Sequence, residues 1–249
     1  MKATRRQVLR TSAIGISFGL TPRLMSATHV DANLRQDAGP SDLADVLMFR
    51  GDLRRTGQMP GPAVTSSSVR VLWEFATGDE VWSSPVLSNG TLFIGSDDGR
   101  IYALDARTGA ERWSFQTGDS IFSTPAVEGG TVVVGSDDGN VYALDERQGT
   151  LLWQFDTGAG VWSSAAIETG TIFIGSENGT LSALNLTSGD LLWLAETEDR
   201  VRSSATVAGG AVFAGSNDGH LYAVAAETGD IAVRIPTGGS VRSSAAIES

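Results

Sequence analysis

From residue 83 onward the chain is built of short apolar runs separated by glycine bends. Residues 84–87, 91–95, 101–104 and 112–116 are runs rich in apolar or β-branched side chains, and Asn89-Gly90, Asp98-Gly99 and Thr108-Gly109 punctuate them. Runs of this length predict short strands. Asn-Gly and Asp-Gly predict two-residue hairpins, because both central residues take positive φ. No apolar periodicity of 3.6 passes through the region, so a helical solenoid of the same repeat length is not predicted.

The pattern recurs every 40 residues. Trp73, Trp113, Trp153 and Trp193 keep that interval, with Val233 in the next slot. Gly95-Ser96 returns as Gly135-Ser136, Gly175-Ser176 and Gly215-Ser216, and Gly99 as Gly139, Gly179 and Gly219. Four strands per repeat, joined by tight hairpins, make one propeller blade. The expected fold is all-β, a β-propeller of four-stranded blades at 79–118, 119–158, 159–198 and 199–238. It is expected to be incomplete: about four blades plus terminal strands, an outermost one over 69–77 and an innermost one over 241–247. The sequence reads as cut in mid-blade, and open blade edges invite self-association.

Ahead of the repeats, Thr4-Arg5-Arg6-Gln7-Val8-Leu9-Arg10 resembles a twin-arginine export signal, with Val8 and Arg10 in place of the usual Phe and Lys. The weakly apolar stretch 12–20 is too short to cross a bilayer, for which ~20 residues are needed. The expected organisation is a signal peptide over 1–27, a polar linker over 28–47 and repeats over 48–249. Export would place the protein outside the cell, at its surface or in a periplasm, with no integral membrane span once the signal is removed.

Composition narrows the function. No cysteine is present, which excludes disulfides, thiolate catalysis, zinc–thiolate sites and a lipid-bearing cysteine. Five of the 18 basic residues and none of the 29 acidic ones fall in residues 1–27, so the remainder carries 13 basic against 29 acidic residues, a net of −16. Such a body repels nucleic acid and anionic lipid. Lys2 is the only lysine, and the acidic, arginine-for-lysine balance suits a high-salt source.

The segment Ala103-Leu104-Asp105-Ala106-Arg107-Thr108-Gly109-Ala110-Glu111-Arg112-Trp113 resembles the tryptophan-docking motif of quinoprotein dehydrogenases. Later copies drift: Asn185 and Ala225 replace Asp105, Gln148 and Ser188 replace Thr108, and Val233 replaces the Trp. Phe49-Arg50-Gly51-Asp52 with Arg55-Thr56-Gly57 resembles the lead-in of the same repeat family. The resemblance covers about 48–249 and implies a structural docking role for Trp73, Trp113, Trp153 and Trp193. It also implies that the Ser-Ser segment is innermost in each blade and the Trp strand outermost. Family enzymes, which use pyrroloquinoline quinone (PQQ), take their calcium ligands and a catalytic Asp largely from segments that interrupt the repeats, and none interrupts these. The expected role is therefore an exported, non-catalytic binding scaffold without cofactor, like the propeller lipoprotein of outer-membrane assembly. The alternative is a fragment or subunit of a PQQ-dependent dehydrogenase.

One repeat position varies informatively. Trp82, Phe122, Trp162, Arg202 and Arg242 stand just before each Ser-Ser or Ser-Thr pair, so they are expected to ring one mouth of the central channel. An aromatic-to-arginine arc suits an acidic peptide, a glycan or a quinone-like ring. A protein partner or glycan is expected, and no nucleic acid. The competing reading is inter-blade packing for the aromatics and a solvated rim for the arginines. Ser96-Asp97-Asp98-Gly99 and Ser136-Asp137-Asp138-Gly139 resemble part of a calcium loop, but the closing Glu is missing and a hairpin is expected. His29 lies in the linker and His220 is expected to face solvent, so no catalytic or metal residue is assigned. Asn89, Asn178 and Asn185 head Asn-x-Thr sequons.

Overall fold

The computed structural model describes residues 8–11, 45–49, 52, 54–55 and 71–247, and among them every regular element is a strand. Four antiparallel four-stranded sheets follow one another along the chain. Blade I comprises β3 (Val86–Ser88), β4 (Thr91–Gly95), β5 (Arg100–Asp105) and β6 (Glu111–Gln116). Blade II has β7 (Ala126–Glu128), β8 (Thr131–Gly135), β9 (Asn140–Asp145) and β10 (Leu151–Asp156). Blade III has β11 (Ala166–Glu168), β12 (Thr171–Gly175), β13 (Thr180–Asn185) and β14 (Leu191–Glu196), and blade IV has β15 (Thr206–Ala208), β16 (Ala211–Gly215), β17 (His220–Ala225) and β18 (Ile231–Pro236). Ahead of them β1 (Val8–Thr11) pairs antiparallel with β2 (Trp73–Ala76).

First strands of successive blades approach one another, β3 to β7, β7 to β11 and β11 to β15, which puts them at the axis. The fourth strands form the outside. The middle strands supply the core: β4 and β5 bury Phe93, Ile94, Ile101 and Leu104, and their equivalents in the next blades are valine, isoleucine, leucine, phenylalanine and alanine. Apolar clusters mostly span two blades, as where Phe93 and Trp113 pack with Val132, Val134, Tyr142 and Leu144.

Indoles fasten one blade to the next. Trp113 Nε1 donates to the Glu146 carbonyl at 3.0 Å, and Trp73, Trp153 and Trp193 reach Ala106, Leu186 and Ala226 in the same way at 3.0, 3.0 and 2.9 Å. Each ring lies on the turn glycine of the following blade. A Cβ on Gly149 would stand 2.5 Å from Trp113 ring carbons, and Gly149 also holds φ +68°. The turn ahead of Gly109 is built by Asp105, whose Oδ1 accepts from Arg107 N, Thr108 N and Thr108 Oγ1 while Oδ2 accepts Arg112 at 2.7 Å. That Arg112 bond, against some burial and with help from Thr108, holds the Asp105 carboxyl down at about 2.

Three segments depart from the sequence reading. Residues 84–87 were expected as strand, but β3 begins at Val86. Ser83 Oγ instead bonds both Gly95 N and Gly95 O, and Pro85 has no N–H to give a ladder. Residues 241–247 are not a strand, because no other described strand lies beside them. They still follow an innermost course, with Val241 N on Ser216 O, Ser204 N on Ser244 Oγ and Thr206 Oγ1 on Ala245 O. His220, expected to face solvent, is half-buried: its ring stands 6.2 Å from Tyr222 and 3.1 Å from Asp218 Oδ1.

The described residues 45–49 and 54–55 lie along the axis. Val46 bridges Leu87, Leu47 O accepts Val127 N, and Met48 packs on the blade II–III core. Val46 and Leu47, counted with the linker in sequence, thus bond to blades I and II. Further on, Arg55 is fully buried and donates to Ala205 O at 2.9 Å and Ala165 O at 3.0 Å, and also to Phe49 O. Ile247 N bonds Arg54 O. Of the twin-arginine segment only Val8–Thr11 is described; the remainder of 1–27 lies outside the described residues, as do His29 and most of the linker.

Truncating Trp113 to Ala is expected to cost about 3–5 kcal/mol in urea unfolding. Gly149→Ala should cost more than Gly130→Ala. Both glycines have positive φ, but a Cβ at Gly130 meets nothing within 4 Å. Equal losses would remove the ring-on-glycine contact from the account. The depressed Asp105 carboxyl favours the folded chain above its ordinary pKa of 3.8, and that contribution fades as pH falls toward 2. Wild type should therefore exceed Asp105→Asn in stability at pH 6, with the gap closing between pH 4 and about 2.

Candidate functional site

Around the axis a relay of hydroxyls joins consecutive blades. Ser84 N donates to Thr124 Oγ1, Thr124 N to Ser164 Oγ, Ser164 N to Ser204 Oγ and Ser204 N to Ser244 Oγ, at 2.9–3.1 Å. Each link spans 40 residues, so the relay places residues 82, 122, 162, 202 and 242 alike at one end of the channel. Asp45, whose Oδ1 accepts Asn89 N, marks the opposite end of β3.

The rim side chains do not all meet. Phe122 and Trp162 rings lie 4.7 Å apart, and the Arg202 guanidinium stacks 4.0 Å over Trp162. Trp82 is 67% exposed, and Arg242 is exposed with its Nε 3.3 Å from Asn217 Oδ1. A second row of residues, unnoticed in the sequence reading, stands behind the rim. Trp162 Nε1 donates to Asp137 Oδ1 at 2.6 Å, and Arg202 grips both oxygens of Glu177 at 2.7 Å. Glu177 keeps the guanidinium firmly charged and raises its pKa further. The signal was available in the sequence: acceptors at 137, 177 and 217 precede their donors at 162, 202 and 242 by a constant 25 residues. It is readable only after the blade register is known.

Asp97 is the first member of this row. Its Oδ1 is buried and without a hydrogen-bond partner. Burial first, then the neighbouring Asp79 carboxylate, raises its pKa, while the Trp82 indole lowers it.

The Asp-Asp-Gly turns use their second carboxylate internally. Asp98 Oδ2 accepts Gly78 N and Tyr102 OH, both at 2.6 Å, and Oδ1 accepts Arg100 N. Asp138 does the same with Gly118 N, Tyr142 OH and Asn140 N. Burial and the Asp138 bond push the Tyr142 hydroxyl up to about 12. The sequon residues Asn89 and Asn178 are likewise engaged, through bonds to Glu146 and the Thr157 carbonyl.

The fold family implies PQQ with calcium. Of the rim cations that could face a quinone's carboxylates, Arg202 is already held by Glu177 and Trp162, and Arg242 is exposed. Arg55 lies on backbone carbonyls at the level of the hydroxyl relay. Among the described residues no group of three His, Cys, Asp or Glu side chains is placed to hold a metal ion. Nor is any described helix long and apolar enough to cross a membrane.

Uniform blades, fastened by indoles to their successors and surrounding a rim of aromatics and paired charges, define a quinoprotein-type (PQQ-like) β-propeller. Residues 63–167 and 137–240 match the family model of the outer membrane protein assembly factor BamB, and the chain belongs to that family. No curated protein matches the sequence significantly. Among solved structures, BamB from Moraxella catarrhalis is 26% identical at TM-score 0.59, over 66% of this chain and 52% of that one. A europium-containing methanol dehydrogenase aligns at TM-score 0.70 and 13% identity, over 82% of this chain and 50% of its own. The quinohemoprotein alcohol dehydrogenase from Comamonas testosteroni gives TM-score 0.70 and 17% identity, over 85% and 44%. The likeness to the two dehydrogenases is one of fold. The chain spans about half the length of these structures.

The Arg202–Glu177 pair, largely shielded from solvent, should show a coupling of about 1–2 kcal/mol in a double-mutant cycle of Arg202→Met and Glu177→Gln. Additive losses would make the pair a surface contact of no consequence.

Proposed function

We propose that this chain is an exported, non-catalytic propeller scaffold that holds a partner protein at the channel mouth bearing Trp82, Phe122 and Trp162. The observation that carries the reading is the chemistry of that mouth. Indole and phenyl surface is presented beside carboxylates, while the rim arginines are engaged by Glu177 and Asn217. Aromatic surface with a polar surround is what protein interfaces favour at their centres. Membership of a family described by outer-membrane protein assembly supports a protein partner over a small substrate. The resemblance of Thr4–Arg10 to a twin-arginine signal supports export, with 1–27 removed and 28–47 as a leading linker. A nucleic-acid partner is disfavoured by the net charge of −16 outside residues 1–27.

Replacing Phe122 with a photo-crosslinking phenylalanine analogue in the source cells should give a discrete protein adduct. The same replacement at the exposed outer turn residue Thr187 should not. Purified protein mixed with PQQ and calcium should retain no chromophore and should not oxidise alcohols with a dye acceptor. Retained quinone with turnover would instead establish a subunit of a quinone-dependent dehydrogenase, and the absence of any mouth-specific adduct would refute the scaffold reading.

A further inference from the structure

The 25-residue pairing behind the rim has one gap. Asp137 meets Trp162, Glu177 meets Arg202 and Asn217 meets Arg242, each acceptor facing a donor from the next blade. By the same offset Asp97 is matched with Phe122, whose ring has no hydrogen to donate. Phe122 packs on Trp162 instead, at 4.7 Å. Two consequences are visible: Asp97 Oδ1 is buried without a partner, and Trp82 is 67% exposed. A buried acceptor left unpaired costs about 1–3 kcal/mol, so such atoms are uncommon and call for an explanation.

The chain itself contains the completed version, two repeats on. Arg202 stacks on Trp162 at 4.0 Å and binds both oxygens of Glu177. Shifted back by 80 residues, Trp162 becomes Trp82, Glu177 becomes Asp97 and Arg202 becomes Phe122. Aromatic and carboxylate are kept, and the guanidinium is absent. The field around the gap is negative: stretches 77–99 and 117–139 contain no basic residue, and Asp79, Glu80 and Asp98 all act on Asp97.

We infer that Trp82 and Asp97 form a docking notch for an arginine side chain of a partner protein, the guanidinium lying on the exposed indole and pairing with the Asp97 carboxylate beside it. This deepens and rests on the reading of the mouth as a protein-binding surface. Arginine is favoured over lysine because a planar, weakly hydrated fork stacks on indole while bonding a carboxylate in the same plane. An acidic segment is rejected by the same charges, so the anionic peptide suggested by Arg202 and Arg242 in sequence is the wrong sign for this half of the rim.

The test uses the full chain and the pentapeptide acetyl-Gly-Arg-Gly-Arg-Gly-amide, followed by the indole N–H resonance of Trp82, assigned by its loss in Trp82→Phe. That resonance is expected to shift with the arginine peptide and to stay still with its citrulline and glutamate counterparts. Asp97→Asn should weaken binding at least tenfold. Phe122→Arg should fill the notch from within, abolishing the peptide response and raising the unfolding midpoint, with the remaining indole resonances reporting an intact fold. Equal binding of the citrulline peptide, retained affinity in Asp97→Asn, or undiminished binding by Phe122→Arg would overturn the inference. A Phe122 adduct in cells without any arginine response would leave the scaffold reading standing and sink only the notch.

Discussion

An indole lying on a glycine one blade ahead is the contact from which the rest of the structure follows. A propeller sheet has two faces to bury and only its neighbours to bury them against, so each blade needs a fixed approach to the next. Trp113 on Gly149, with the ring nitrogen on the Glu146 carbonyl, sets both the distance and the rotation of that approach. A Cβ at the glycine would push the ring away, and losing the nitrogen would leave a buried carbonyl short of a donor. Once the spacing is set, the hydroxyl relay runs from Ser84 to Ser244 beside the axis and the rim residues are carried to a common level.

The sequence revealed what is repeated and hid what occurs once. Tryptophans and glycines at 40-residue intervals disclose the blades because the same packing problem is solved each time by the same residue types. The repeat position of the candidate rim was legible for the same reason, though its hydrogen-bond partners were not. Asp137 and Glu177 sit in turns where an acidic residue is unremarkable, and their donors lie in a different blade. Arg55 gave no hint of full burial, since it stands in a polar stretch without a period and its acceptors are backbone carbonyls up to 150 residues away. Residues 241–247 were read as strand from their likeness to earlier copies, but a strand exists only where a second one runs beside it.

Charge at the mouth is divided by blade. In blades III and IV the chain supplies its own cations to the second row, with Arg202 on the Glu177 carboxylate and Arg242 near the Asn217 amide. In blades I and II no described cation does so, and aromatic surface stands among carboxylates. The two halves therefore differ in what they can offer a visitor although their backbones are alike. The difference between the two halves resides in substitutions at one repeat position, on a scaffold that family enzymes and non-enzymes share.

The axial residues 45–49 and 54–55 have a consequence for how the molecule comes apart. Blades that touch only their neighbours would fray from the ends inward, as stacked repeats do. Val46, Leu47 and Arg55 instead bind the first, second, third and fourth blades in turn, and Arg54 holds Ile247. Opening either terminal blade must break bonds in this shared thread, which couples distant sheets through a segment belonging to none of them. Local fluctuations become expensive, and the array melts as one body.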